Sequence, residues 1–211
     1  MPDELTRIRR LPEKAVEDRA ALDAVLDAAR VAHVAFDHDG QPMNIPVGCA
    51  RDGDRLLMHG STGSRLFRRL AAGADVCVAV TLLDGMVLAR SSFESSMHYR
   101  SAMVFGQACE LPAEEKDAGL RAMSEAWLPG RWDTLRPSKA KELAATMVLA
   151  LPLERWSVKI SAGPPDDDEA DLDAPVWAGV WPIEWSWGTP IPAPDLRGEH
   201  AVPPFPPPPV G

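Results

Sequence analysis

Residues 31–59 read VAHVAFDHDGQPMNIPVGCARDGDRLLMH, and this stretch decides the architecture. Three largely apolar runs, Val31–Phe36, Met43–Ala50 and Arg55–His59, are separated by Asp37-His38-Asp39-Gly40 and Arg51-Asp52-Gly53-Asp54. Asp and Gly tolerate the positive φ that a tight hairpin needs, so the three runs are expected to be antiparallel neighbours.

Towards the N-terminus, residues 13–30 predict a helix. Leu22, Val25, Leu26 and Ala29 follow the i, i+3, i+4, i+7 rule, and Asp18, Asp23 and Asp27 occupy the other face. Towards the C-terminus, Leu66, Phe67 and Leu70 mark a short helix that Gly73 closes. Val76–Leu82 lacks polar alternation and is expected to be a strand buried on both faces. Asp84-Gly85 reads as another hairpin turn, with Met86–Ser92 as the return strand. Tyr99–Leu111 predicts a long strand, with Gly106 as a bulge or barrel corner.

Pro112 and the acidic residues after it open a helix that runs to about Trp127. Ser138–Met147 predicts another helix, and Val148–Ile160 a final core strand bent at Pro152. Asp166–Glu169 is an acidic run expected to be solvated, and Trp177, Trp181, Trp185 and Trp187 crowd residues 175–188. Residues 189–211 form a Pro-rich tail, expected to be extended or disordered. Six to eight strands joined mainly by hairpins, with helices at the edges, predict a mainly β protein: a closed or split β-barrel in one domain over residues 1–188.

The chain has 211 residues and a net charge of -9, which argues against a nucleic-acid partner or an anionic membrane surface. A small phosphorylated ligand needs only a few local donors and stays open. No apolar run reaches membrane-spanning length, and the N-terminus lacks the apolar core of a signal peptide. Cys49, Cys77 and Cys109 are far apart and read as buried free thiols, with no disulfide framework or zinc spacing. A reducing cytoplasm is expected.

Two segments carry candidate chemistry. Leu56–Arg65 is a strand, a small-residue turn and a helix start. Gly60 and Gly63 permit close backbone approach, Ser61, Thr62 and Ser64 add hydroxyls, and Arg65 can clamp phosphate oxygens. It is neither a Walker A sequence nor a Gly-x-Gly-x-x-Gly fingerprint, and read alone it is equally an ordinary capped helix start. In the second segment, Ser96–Gly106, Tyr99, Arg100 and Ser101 enter an apolar strand. A core arginine is costly unless it meets an anion or a dense set of acceptors, and an edge-strand arginine reaching water is the alternative.

These segments together resemble the pyridoxamine 5′-phosphate oxidase-like flavoproteins, in particular the branch that includes the 5-nitroimidazole-resistance proteins. The resemblance rests on Asn44-Ile45-Pro46-Val47, His59 to Arg65, Thr81 to Gly85, Tyr99-Arg100-Ser101 with Val104-Phe105-Gly106, Trp156 to Lys159, and Val176 to Val180. It implies an FMN-binding split β-barrel homodimer, with one FMN per subunit at the dimer interface. Asn44, Ile45, Pro46 and Val47 would run beside the isoalloxazine ring, and Ser61, Thr62, Ser64 and Arg65 would hold the phosphate. Ser101 would lie near the flavin's polar edge, Arg100 or Lys159 would stabilise charge on the reduced ring, and Trp156 and Lys159 would complete the site across the interface. His59 matches a histidine near the flavin in the nitroimidazole-resistance branch, or is a strand-end histidine bonded to backbone.

The pattern departs from the true oxidases in three places. Arg65-Leu66 stands where they carry Arg-Lys, Glu94-Ser95 replaces histidines of nearer relatives, and the late Arg-x-His substrate signature is missing. Vitamin B6 synthesis is therefore not expected. The implied activity is transfer of electrons from a reduced nicotinamide to a small, aromatic or nitroaromatic acceptor. No catalytic acid or base is assigned. The alternatives are a non-enzymatic flavin-binding or flavin-sensing protein, a haem-binding split barrel with His59 or His98 as axial ligand, and a deazaflavin carrier.

Overall fold

The computed structural model describes residues 4–204. Three strands follow the quoted stretch: β2 (Val31–His38), β3 (Gln41–Asp52) and β4 (Arg55–Ser61), preceded by the two-residue β1 (Ala15–Val16) and by α1 (Arg19–Ala28). Asp39 and Gly40 both have positive φ, 54° and 81°, the pair of left-handed residues a type I′ hairpin turn needs. Helix α1 starts later than its periodicity predicts. Asp18 caps it by accepting the Ala20 N–H at 3.0 Å, and Ala15–Val16 is drawn into the sheet as a partner of residues 158–159.

After β4 come α2 (Arg65–Ala71), β5 (Asp75–Leu88), β6 (Ser96–Gln107) and β7 (Cys109–Glu110). They are followed by α3 (Lys116–Trp127), α4 (Ala140–Ala145), β8 (Thr146–Pro152), β9 (Arg155–Ser161) and β10 (Gly179–Pro182). The sheet order is β1-β9-β6-β5-β2-β3-β4-β8-β7, all antiparallel, with β10 added to β5. Strands β6 and β7 are consecutive in the chain and bend at Gly106, whose φ is 148°. The strand that pairs with β5 and β9 thus continues to pair with β8, and the sheet closes on itself. This is the split β-barrel expected from the sequence.

Three local expectations are corrected. Asp84-Gly85 is not a turn: β5 runs through it, with a register shift between Leu83 and Gly85 where Asp84 bulges out. Val76–Leu82 is not buried on both faces, because Val76, Val78 and Val80 fill the barrel while Cys77 and Ala79 are half-buried and Thr81 is exposed. Val148–Ile160 is two strands on different sides of the barrel, separated at Leu153, whose N–H donates to the Asp54 carbonyl.

The barrel interior holds Leu22, Leu26, Val34, Leu56, Met58, Val78, Val104 and Leu149, each at most 1% exposed. A second cluster, with Leu57, Met123 and Val148, lies under α3 on the outside of β4 and β8. Cys49 is buried as expected, and burial pushes its thiol up to about 12, whereas Cys109 is exposed. The acidic run is not uniformly solvated either, since Asp167 is buried against Arg90. The four late tryptophans are all exposed. No described helix is long and apolar enough to cross a membrane. Of the Pro-rich tail, residues 189–204 have no helix or strand and lie exposed, and residues 205–211 fall outside the described residues.

Candidate functional site

Strands β3 and β4 pair only at Cys49–Asp52 with Arg55–Met58. Beyond that point they part. Residues 41–48 of β3 keep only β2 as a partner, while His59, Gly60 and Ser61 pair with β8. The expected cofactor strand therefore lies along this split. Asn44 and Pro46 face outward and are exposed, while Ile45 and Val47 pack against the barrel core. Any ligand beside this strand meets two outward side chains and backbone.

His59 stands on β4 where the strands separate. Among the described residues neither ring nitrogen has a hydrogen-bond partner, and Nδ1 is fully buried. Burial pushes its pKa below the ordinary value, so the ring is neutral at pH 7. Its neighbour is Trp127, with ring centroids 5.9 Å apart and planes tilted by 44°. Trp127 is itself fixed: its Nε1–H donates to the Cys49 carbonyl at 2.8 Å, and its ring fills the space a Cβ on Gly48 would need.

The turn after β4 is tied down mostly by its own groups. The Ser61 hydroxyl accepts from the Gly63 N–H at 3.1 Å, and the Thr62 N–H and hydroxyl both meet the Ala145 carbonyl. Ser64 sits at the N-cap position of α2 without a capping bond from its side chain, and α2 is only seven residues long. Arg65 forms no ion pair with a carboxylate among the described residues. Its Nη1 lies 3.5 Å from His38 Nε2, at the tip of β2.

The other expected residues lie across the sheet. Ser101 is opposite Thr81 on β5 and Lys159 on β9, and its hydroxyl is 3.5 Å from the Lys159 carbonyl. The Lys159 ammonium donates to the Arg10 carbonyl at 2.9 Å. Trp156 sits on the opposite face of β9, against the core. The Arg100 guanidinium is held by both oxygens of Asp84. Strands β2 and β5 separate the two groups of residues, so β3 and β6 are about 14 Å apart along the sheet. Within one chain, the structure brings the β3 strand, His59 and the turn together, and leaves Ser101 and Lys159 on the outward face of β6 and β9, with Arg100 and Trp156 on the other face of those strands.

Sequence spacing did not point to His38, Trp127 or Asp84 as neighbours of these residues. His38 was assigned to a turn and Trp127 to a helix end, and nothing local reports what a turn or helix end packs against.

The sequence profile described as pyridoxamine 5′-phosphate oxidase matches residues 18–160, most of the barrel. The chain belongs to the pyridoxamine 5′-phosphate oxidase family. Among solved structures, this family member is similar to the FAD and heme binding protein from Mycobacterium smegmatis. The two are 47% identical with a TM-score of 0.86, over 92% of this chain and 94% of the other. It is similar also to the flavocytochrome Anf3 from Azotobacter vinelandii, with 38% identity and a TM-score of 0.91, over 96% of this chain and 94% of that one. A protein described as a 5-nitroimidazole antibiotic resistance protein from Bacteroides thetaiotaomicron shares the fold, with 20% identity, a TM-score of 0.58 and coverage of 69% and 86%. No curated protein matches the sequence.

Proposed function

We propose that this chain is a flavin- and haem-binding redox protein that works as a homodimer. The observation that carries this reading is the near full-length likeness, at 47% identity, to a protein described as binding FAD and haem. The likeness to a flavocytochrome at 38% identity points the same way. The haem reading, first an alternative to a flavin enzyme, becomes its complement. A flavin exchanges a hydride or single electrons and a haem exchanges single electrons, so one chain holding both would link the two kinds of transfer.

The residues present suit a flavin. Asn44 to Val47 offer an extended strand with an unpaired edge, and Ser64 and Arg65 offer a hydroxyl and a guanidinium not spent on a cap or a carboxylate. Leu66 supplies no second cation, and the Arg68 guanidinium, which reaches the same turn, donates to the Gly63 carbonyl at 3.2 Å. The likeness to a protein described as binding FAD and haem favours FAD, and the proposal adopts FAD in place of the FMN expectation.

Dimerisation is part of the same reading. Ser101 and Lys159, which share the outward face, are separated from the turn along one sheet, and a second copy related by a two-fold axis would bring one group against the other. The outward residues Val31, Ala35, Cys77, Ala79 and Met103 give that sheet face small and apolar side chains suited to such a contact, among which His33 and Thr81 are the polar ones. Reduced nicotinamide as donor and a small aromatic acceptor complete the proposal, and a reducing cytoplasm suits the three free thiols.

The test is an absorption spectrum of the purified protein, followed by acid release and chromatography of the flavin. FAD together with a Soret band is expected. FMN without a Soret band would return the protein to the simpler flavin reading, and failure of any nicotinamide to reduce it would favour a binding or sensing role.

A further inference from the structure

The chain has five lysines, and two of them meet on one face of β9. Lys116 pairs with Glu110, and Lys139 and Lys141 stand exposed at α4. Lys14 and Lys159 are instead half-buried and make no ion pair among the described residues, in a chain with 31 acidic residues against 22 basic ones. The Lys14 ammonium donates to the Ser161 hydroxyl at 3.1 Å, and the Lys159 ammonium to the Arg10 carbonyl at 2.9 Å. Lys159 and Ser161 point to the same side of β9, about 7 Å apart along the strand, and Ser101 lies opposite Lys159 on that face. An ammonium taken partly out of water ordinarily has an anion beside it, and two such charges beside two hydroxyls suit a dianion.

A cleft adjoins them. It lies between residues 6–17 and β9, has a volume of about 590 Å³, and begins at Ser157, the next residue on the Lys159 side of the strand. Ile8, Val16 and the half-buried Trp156 give it apolar walls, while Arg7, Glu17 and Glu154 stand at its exposed rim. Strand β1 covers only Val158 and Lys159, so the backbone of residues 155–157 presents an unpaired edge to the cleft. The same register runs Lys14 towards Ser161 and Glu17 towards Ser157, which puts the ammoniums at one end and the carboxylates at the other. The volume is that of a small-molecule site. An indole and an unpaired strand edge suit a base, and a rim carboxylate accepts from ribose hydroxyls.

We infer that Lys14 and Lys159 hold the diphosphate of an adenine dinucleotide whose adenosine lies in this cleft. The inference rests on the functional reading above only for the source, since FAD and a reduced nicotinamide dinucleotide carry the same adenosine diphosphate group. Two ammoniums match its two phosphate charges, and no bond or proton need move. Lys14 and the rest of residues 6–17 lie outside the region that the family profile matches, so the site is an addition to the shared barrel.

The probe is ADP, with adenosine as its phosphate-free counterpart, titrated by calorimetry into the full chain before and after removal of its flavin. Wild type is compared with Lys14→Met, Lys14→Arg, Lys159→Met and Lys141→Met, and the denaturation midpoint of each reports folding. Wild type is expected to bind ADP at least about tenfold more tightly than adenosine, because charge-assisted hydrogen bonds hold the phosphates. Lys14→Met and Lys159→Met are expected to lose that preference, Lys14→Arg to keep most of it, and Lys141→Met to match wild type. ADP that binds only once the flavin is removed makes the dinucleotide FAD. ADP that binds with the flavin in place and competes with reduced nicotinamide makes it the electron donor. Equal affinities for ADP and adenosine in wild type, or an undiminished preference in Lys14→Met, would overturn the site. A wild type that prefers ADP, yet binds no flavin and is reduced by no nicotinamide, would support the site and overturn the functional reading.

Discussion

The Asp84 carboxylate accepts two hydrogen bonds from Arg100, from Nε at 2.9 Å and from Nη2 at 2.8 Å, across the single register shift in the β5–β6 ladder. Asp84 is the residue that bulges, and its carbonyl also accepts the Ile183 N–H at 2.9 Å. One residue thus fastens both neighbours of β5: β6 through its side chain and the end of β10 through its backbone. The strand stays continuous there, so β2 and then β10 share its second edge.

Asp84→Ala is expected to lower stability by about 1–3 kcal/mol, because a largely buried guanidinium loses its carboxylate. Chemical denaturation measures this as a lower midpoint at unchanged slope. An unchanged midpoint would mean that the pair contributes nothing.

A second latch predicts a local effect. Asp167, with its side chain 2% exposed, accepts the Arg90 backbone N–H at 2.6 Å and its guanidinium at 2.9 Å. It anchors the connection that carries the chain from β9 to β10. In Asp167→Ala, amide hydrogen exchange should quicken across residues 162–182, with protection in β2 and β4 unchanged. Uniform loss of protection would contradict a local role.

His59 gives a pH dependence of known sign. Burial holds its folded-state pKa below the ordinary 6.5, so the unfolded chain takes up the proton first as pH falls. The contribution is fully present above pH 6.5 and is lost progressively below it. For protein prepared without haem, the denaturation midpoint should fall more steeply between about pH 7 and 5 in wild type than in His59→Asn. Equal slopes would show that this ring carries no pH dependence.

Much of this fold was legible in the sequence, for reasons tied to particular residues. Asp39-Gly40 imposes a hairpin through backbone conformation alone, and Leu22, Val25 and Leu26 define a buried helix face by spacing alone. Asp84-Gly85 has the same local signature as a hairpin turn, yet it lies inside a strand because Arg100, sixteen residues later, binds the carboxylate. Asp167 belongs to a solvated run by composition and is buried because Arg90 awaits it. In both cases a distant cation decides, and no local pattern reports it. At the candidate site, the strand and turn were legible as types of residue in order. The pinning of Trp127 over His59 was not, since it depends on how α3 lies across the β3–β4 split.

Arg65, the proposed cation for the flavin phosphate, has no carboxylate partner among the described residues. Arg65→Ala is expected to weaken flavin binding by about 1.5–3 kcal/mol, or roughly 10- to 100-fold in Kd, with folding stability unchanged. Fluorescence titration of the flavin measures it, and unchanged affinity would remove the turn from the site.

The central claim is that one chain holds a flavin and a haem and does so as a dimer, and native mass spectrometry of the purified protein tests all of it at once. The account predicts an assembly of two chains carrying two FAD and two haem groups. A single chain, or a dimer carrying FMN and no haem, would contradict it.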